Sequence, residues 1–202
     1  MFDWRNIVGI GAGIFSLLGF VPYIVTILQG KTSPNRASWS IWASLGIVLA
    51  VSNYSAGAKE TMWLLTAYAF CQITIAVLSL KYGEGGWNTF DRTCLLGAFI
   101  SIVLWQLFDS PLIAITISIA IDSLGALPTI KKSYLQPETE DLFSWLMFWV
   151  AGTLNICALS RWTVELAAQP IYLFSFNSIV VILLSIPIFK SKRKNKCNRV
   201  EN

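Results

Sequence analysis

Runs of apolar residues close to 20 long recur along almost the whole of this 202-residue chain. Wound as a helix, a run of about 20 residues rises about 30 Å, enough to cross the hydrocarbon core of a bilayer. Charged residues make up 13% of the chain, about half the share usual in a soluble domain. The pattern predicts one all-α membrane domain over 1–202, with seven transmembrane helices at about 7–29, 37–56, 61–82, 92–108, 111–135, 142–160 and 168–189. The first run is long enough to span and is preceded by Asp3 as well as Arg5, so it reads as a span and not as a cleavable signal peptide.

Basic residues set the expected orientation. The N-terminus and the loops after spans two, four and six hold only Arg5, Lys59 and Arg161, whereas the opposite side holds the other twelve of the 15 Lys and Arg. The positive-inside rule then places the N-terminus outside and the C-terminus in the cytosol of a cell membrane. The basic tail 190–202, with Lys190-Ser-Lys-Arg-Lys-Asn-Lys, reads as a topology signal, and no nucleic-acid partner is expected. Trp4, Trp63, Trp105 and Trp162 fall near one expected interface, and Trp39, Trp42, Trp145 and Trp149 near the other, as in an interfacial belt.

An internal duplication narrows the architecture. Gly19, Pro22, Ile24, Ser38, Trp39 and Gly46 recur 106 positions later as Gly125, Pro128, Ile130, Ser144, Trp145 and Gly152. Tyr68 and Phe70 recur at an offset of 104 as Tyr172 and Phe174. Spans within 7–82 and 111–189 thus form two three-helix repeats, and the span at 92–108 links them. A single linking span makes the repeats parallel, related by an axis along the membrane normal.

A 3+1+3 arrangement with a proline late in spans one and five, followed by a loop with Ser33 and Ser38 or Thr139 and Ser144, resembles the PQ-loop/SWEET transporter superfamily. The Pro-Gln dipeptide of that family is here Pro22-Tyr23 and Pro128-Thr129, and spans two and six lack proline. The resemblance covers nearly the whole chain. It implies alternating-access transport, with Pro22 and Pro128 as hinges, a pocket lined from spans two, three, six and seven, and membrane-embedded acids that couple proton movement.

Read from the residues alone, Pro22 and Pro128 lack an amide hydrogen and loosen their helices at equivalent places, as a static kink or a gating hinge. Asp122 lies near the expected midplane, where a carboxylate costs at least about 2.5–3.5 kcal/mol unless it faces a cavity or a partner. Its counterpart is Ser16, so the halves differ there. Asp122 is placed to take up and release a proton, or to bond a neighbouring helix. Gln72 and Asn177 lie near mid-span, Asn53 and Asn155 in the outer halves of spans two and six. These carboxamides suit a hydroxyl-rich or zwitterionic solute, or interhelical bonds. Tyr68 and Tyr172, one turn outward of Gln72 and Asn177, suit stacking, an outer gate or packing. In the polar loops, Ser33 or Ser38 is the expected cap of span two, and Pro137-Glu-Thr-Glu-Asp places acids ahead of span six.

The resulting expectation is a transporter of a small polar solute, sugar or amino-acid-like, with proton coupling through Asp122 as one option. A non-transporting membrane sensor or adaptor is the alternative. An enzyme is not expected, since histidine is absent and the chain has neither a metal-ligand cluster nor a Gly-x-Ser-x-Gly turn, so no catalytic residue, metal or cofactor is assigned. The expected partners are the solute and the lipid bilayer, and a homo-oligomer stays open.

Overall fold

The apolar runs wind into helices whose ends fall where the turn chemistry changes. The computed structural model describes residues 4–55, 62–85, 88–105, 107, 111–159 and 161–200. Among these there are seven α-helices: α1 (Trp4–Leu28), α2 (Arg36–Ser55), α3 (Met62–Tyr82), α4 (Thr89–Trp105), α5 (Pro111–Leu135), α6 (Leu142–Cys157) and α7 (Val164–Val200). A single 3-10 turn, Pro137–Thr139, precedes α6. The seventh helix does not stop before the basic segment: α7 continues to Val200. Lys and Arg are good helix formers, and no Gly or Pro follows Pro187 to break the run.

Helix ends are fixed by local bonds. Beyond α1, Gly30 takes φ +71°, which costs glycine little, and the Gly30 and Lys31 amides donate to the Ile27 and Thr26 carbonyls at 2.9 Å each. The cap of α2 is Asn35 and not Ser33 or Ser38: the Ser38 amide donates to Asn35 Oδ1 at 3.0 Å. Asp141 does the same for α6, accepting from the Ser144 amide at 2.8 Å. Ser38 and Ser144 sit three residues inside, where their hydroxyls reach the same capping side chains. Asn35→Ala and Asp141→Ala are each expected to cost about 0.5–2 kcal/mol, read as a lower midpoint of thermal unfolding.

Three connections meet at one end of the bundle, here termed the cap end. The Arg36 amide donates to the Glu84 carbonyl at 2.9 Å, Glu84 to Pro34 at 3.0 Å, and Ser33 to Thr139 at 2.9 Å. The α1–α2, α3–α4 and α5–α6 links therefore lie together, and successive helices alternate in direction. Arg36 ties this end further, donating from Nε to the Ser79 carbonyl at 3.0 Å.

Packing repeats with the sequence. Helix α1 packs along α6, and α5 along α2, each crossing to the other half. Helix α2 packs on α3 as α6 packs on α7, and α1 meets α3 as α5 meets α7. Exchanging the first three helices with the last three leaves this set unchanged. Helix α4 stands outside it, against α5 and α2.

The core lies between the halves, around Phe20, Tyr23, Trp39, Trp42, Trp145 and Phe176. Outward faces are apolar too. Ile7, Ile10, Ile14, Leu18, Val21 and Val25 form an exposed stripe on α1, and Phe70, Ile73, Val77 and Leu80 one on α3. Among the described residues, two helical stretches are long and apolar enough to cross a membrane, Ile7–Leu28 and Ala167–Ile188, with mean hydropathy 2.0 and 2.2. Ala67–Tyr82 and Leu142–Cys157 are apolar but shorter.

Candidate functional site

The repeated glycines explain how a cavity forms. A Cβ on Gly19 would lie 2.6 Å from the Phe148 ring, and one on Gly125 2.8 Å from Trp42 Nε1. Phe148 lies 106 positions after Trp42, so each half seats an aromatic ring from the other on its own glycine. Gly46 and Gly152 act at the other interfaces. A side chain on Gly46 would strike the Gln72 amide oxygen, and one on Gly152 would sit 3.4 Å from the Phe174 backbone. Small residues at these crossings bring the helices close while large rings wedge the halves apart.

The space left between the halves is a cavity of about 440 Å³. Both halves line it: Gly9, Gly13, Ser16 and Phe20 of α1, Trp42 and Gly46 of α2, Tyr68 and Gln72 of α3, Asp122 of α5, Phe148 and Asn155 of α6, and Gln169 and Asn177 of α7. Away from the cap end Gly9, Gly13 and Gln169 are half-buried and Asn155 is exposed. Toward the cap end they are Trp39 and Trp145, only 3% and 2% exposed, so the cavity has a closed aromatic floor.

Beneath that floor lies a polar cluster centred on Glu140. Its Oε2 accepts from the Tyr23 hydroxyl at 2.8 Å and from Trp145 Nε1 at 2.9 Å. Its Oε1 pairs with Lys132 Nζ at 2.7 Å, and both side chains are almost wholly buried. Trp39 Nε1 donates to the Tyr23 hydroxyl at 3.3 Å. A second bond spans the halves nearby, from Thr129 Oγ1 to Ser38 Oγ at 2.8 Å. Tyr23 and Thr129 are equivalent positions, each directly after Pro22 or Pro128. Among the described residues Lys132 and Glu140 form the one ion pair. Burial pushes the nearby Glu84 carboxyl above the usual carboxylate range; Lys132 and Arg36 oppose this, while Glu140 and Glu138 add to it.

Of the residues singled out in the sequence, Asn177, Gln72, Asn155, Tyr68 and Asp122 line the same cavity. Asn177 is 8% exposed and donates to the Phe148 carbonyl at 3.4 Å. Tyr172 stands behind Asp122, its hydroxyl donating to Oδ2 at 2.8 Å. In the first half the counterparts of Asp122 and Tyr172, Ser16 and Tyr68, both line the cavity. The Asn53 side chain lies outside the described residues. Pro22 and Pro128 lie within helices that continue on both sides, so the carbonyls of Leu18 and Leu124 have no α-helical amide to accept from.

Trp39, Trp42 and Trp145 do not belong to an interfacial belt. They are buried between the halves, because their helices turn those faces toward the crossing. Their pairing in the repeat was the available signal. Glu140 was legible only as an acid ahead of a helix; its partners come from α1, α5 and α6 and share no local pattern. No family model, curated protein or solved structure matches this chain.

Proposed function

We propose that this chain is a seven-span membrane transporter that moves a small polar solute by alternating access, with the cap end in the cytosol. The observation that carries the reading is the cavity at the crossing of the two halves. Residues from both repeats line it, and the floor is closed by Tyr23–Glu140 and Thr129–Ser38, bonds that run between halves. Opening the cap end means parting those bonds, and the prolines next to Tyr23 and Thr129 supply the places where α1 and α5 bend. The outward apolar stripes on α1 and α3 suit lipid, and the resemblance to the PQ-loop/SWEET superfamily points the same way.

Asp122 is the proton-coupling residue in this reading, with the Tyr172 hydroxyl as the titratable group bonded to it. A thermal-shift screen of sugars, amino acids and amines on purified protein identifies solutes that bind, since a bound solute stabilises the fold. In proteoliposomes, uptake of such a solute is expected to saturate and to accelerate under an imposed pH gradient. Asp122→Asn is expected to abolish the gradient response. A full response in the variant removes the coupling role. Failure of every screened solute to move, with cellular function lost on deleting 190–202, replaces the transporter by a sensor or adaptor.

A further inference from the structure

We infer that the solute held in this cavity is an organic cation, a protonated amine or quaternary ammonium, anchored by Asp122 against the aromatic wall. The inference names the solute class for the transport reading and rests on it for what happens after binding.

Among the described lining residues Asp122 is the one acid, and none is Lys or Arg. Its described hydrogen-bond partner is the neutral Tyr172 hydroxyl. A carboxylate in a low-dielectric cavity is costly unless it is paired, and a cationic solute supplies the missing charge. An anionic solute meets no base among the described lining residues, and an uncharged one leaves Asp122 to be neutralised by a proton alone. The charged pair at the cap end offers no rival site, since Lys132 and Glu140 already neutralise one another at 2.7 Å.

The wall supports the same chemistry. Phe20, Trp39, Trp42, Trp145, Phe148 and Phe176 line the cavity. Trp39 and Trp145 commit their N–H groups to Tyr23 and Glu140, on the side away from the cavity. Toward the solute they present ring carbon and π surface, which attracts a cation and offers no hydrogen bond to a hydroxyl. Gln72 and Asn177 add carboxamides that accept from N–H or O–H groups of the solute. The volume of about 440 Å³ suits a small molecule.

The test is a tryptophan-fluorescence titration of the purified full-length protein with choline and with the uncharged alcohol in which carbon replaces the choline nitrogen. The two probes share a shape and differ in charge. Choline is expected to bind about tenfold or more tightly than its isostere. Asp122→Asn is expected to bring the ratio near one, Asp122→Glu to keep it, and Gln72→Leu to weaken both probes alike. A merely structural role for Asp122 does not alter charge preference in a variant that still binds the isostere. Equal affinities in the unaltered protein, an undiminished preference in Asp122→Asn, or no saturable change with either probe overturns the assignment. If choline binds as expected but does not enter proteoliposomes, transport fails and the cation site stands. If a neutral solute is carried and choline does not bind, transport stands and the cation site fails.

Discussion

Glu140→Ala is expected to lower the stability of the fold by about 3–5 kcal/mol, the usual cost of removing one partner from a buried ion pair. The substitution leaves Lys132 with a charge that is almost fully buried and only the Thr139 carbonyl, at 3.1 Å, to satisfy it. It also strips an acceptor from the Tyr23 hydroxyl and from the Trp145 indole. Thermal unfolding of purified protein measures the loss. The double variant Lys132→Met with Glu140→Leu is expected to recover the part of the loss that comes from the unpaired charge, while the Tyr23 hydroxyl and Trp145 indole still lack their acceptor. If Glu140→Ala unfolds at the midpoint of the unaltered protein, the cluster contributes nothing to holding the cap end shut.

A second large effect is expected where the halves cross. Gly19→Ala places a Cβ 2.6 Å from the Phe148 ring, and Gly125→Ala places one 2.8 Å from Trp42 Nε1. Neither ring moves freely: Phe148 packs edge-on to Phe20 and Trp145, while Trp42 packs against Trp39 and Phe176. Overpacking of this kind costs about 1–3 kcal/mol. The pairing itself is testable by double-mutant cycles in thermal unfolding. Gly19→Ala with Phe148→Leu is expected to be less destabilised than the sum of its singles, by about 1 kcal/mol or more. Gly125→Ala with Trp42→Leu is expected to behave alike, whereas Gly19→Ala with Trp42→Leu adds. Coupling in the crossed pair and none in the direct pairs contradicts the exchange of rings between halves.

Helix number and most helix boundaries were legible in the sequence because they depend on local properties. Apolar run length, the Gly30 turn and the polar loop residues each act within a few positions along the chain. The duplicated residues were legible for a different reason. Gly, Pro and Trp tolerate few replacements at a close crossing, so the match at 106 residues survives between otherwise different halves. The cap of α2 was misplaced by two or three residues, since Asn35, Ser33 and Ser38 are all competent acceptors and only the backbone entry angle selects among them. The end of α7 was misread because a basic tail and a helix continuing through it have the same composition.

The site divides along the same line. Asp122 and the carboxamides Gln72, Asn155 and Asn177 stood out in the sequence, because polar side chains in apolar runs are expensive and few. Glu140 did not, because its sequence neighbours are those of an ordinary polar loop. What the sequence determined by itself is the set of helices and their two-fold repetition, both written in periodicity and in the placement of glycine, proline and tryptophan. Only the tertiary structure decided that Trp39 and Trp145 face inward as a cavity floor, and that Glu140 gathers Tyr23, Lys132 and Trp145 beneath it. Of those contacts the Tyr23 bond joins opposite halves, whereas Lys132 and Trp145 belong to the same half as Glu140 and link α5 to α6. The floor and the Tyr23 bond across the halves arise from the way α1 crosses α6 and α5 crosses α2, a geometry that no stretch of adjacent residues encodes.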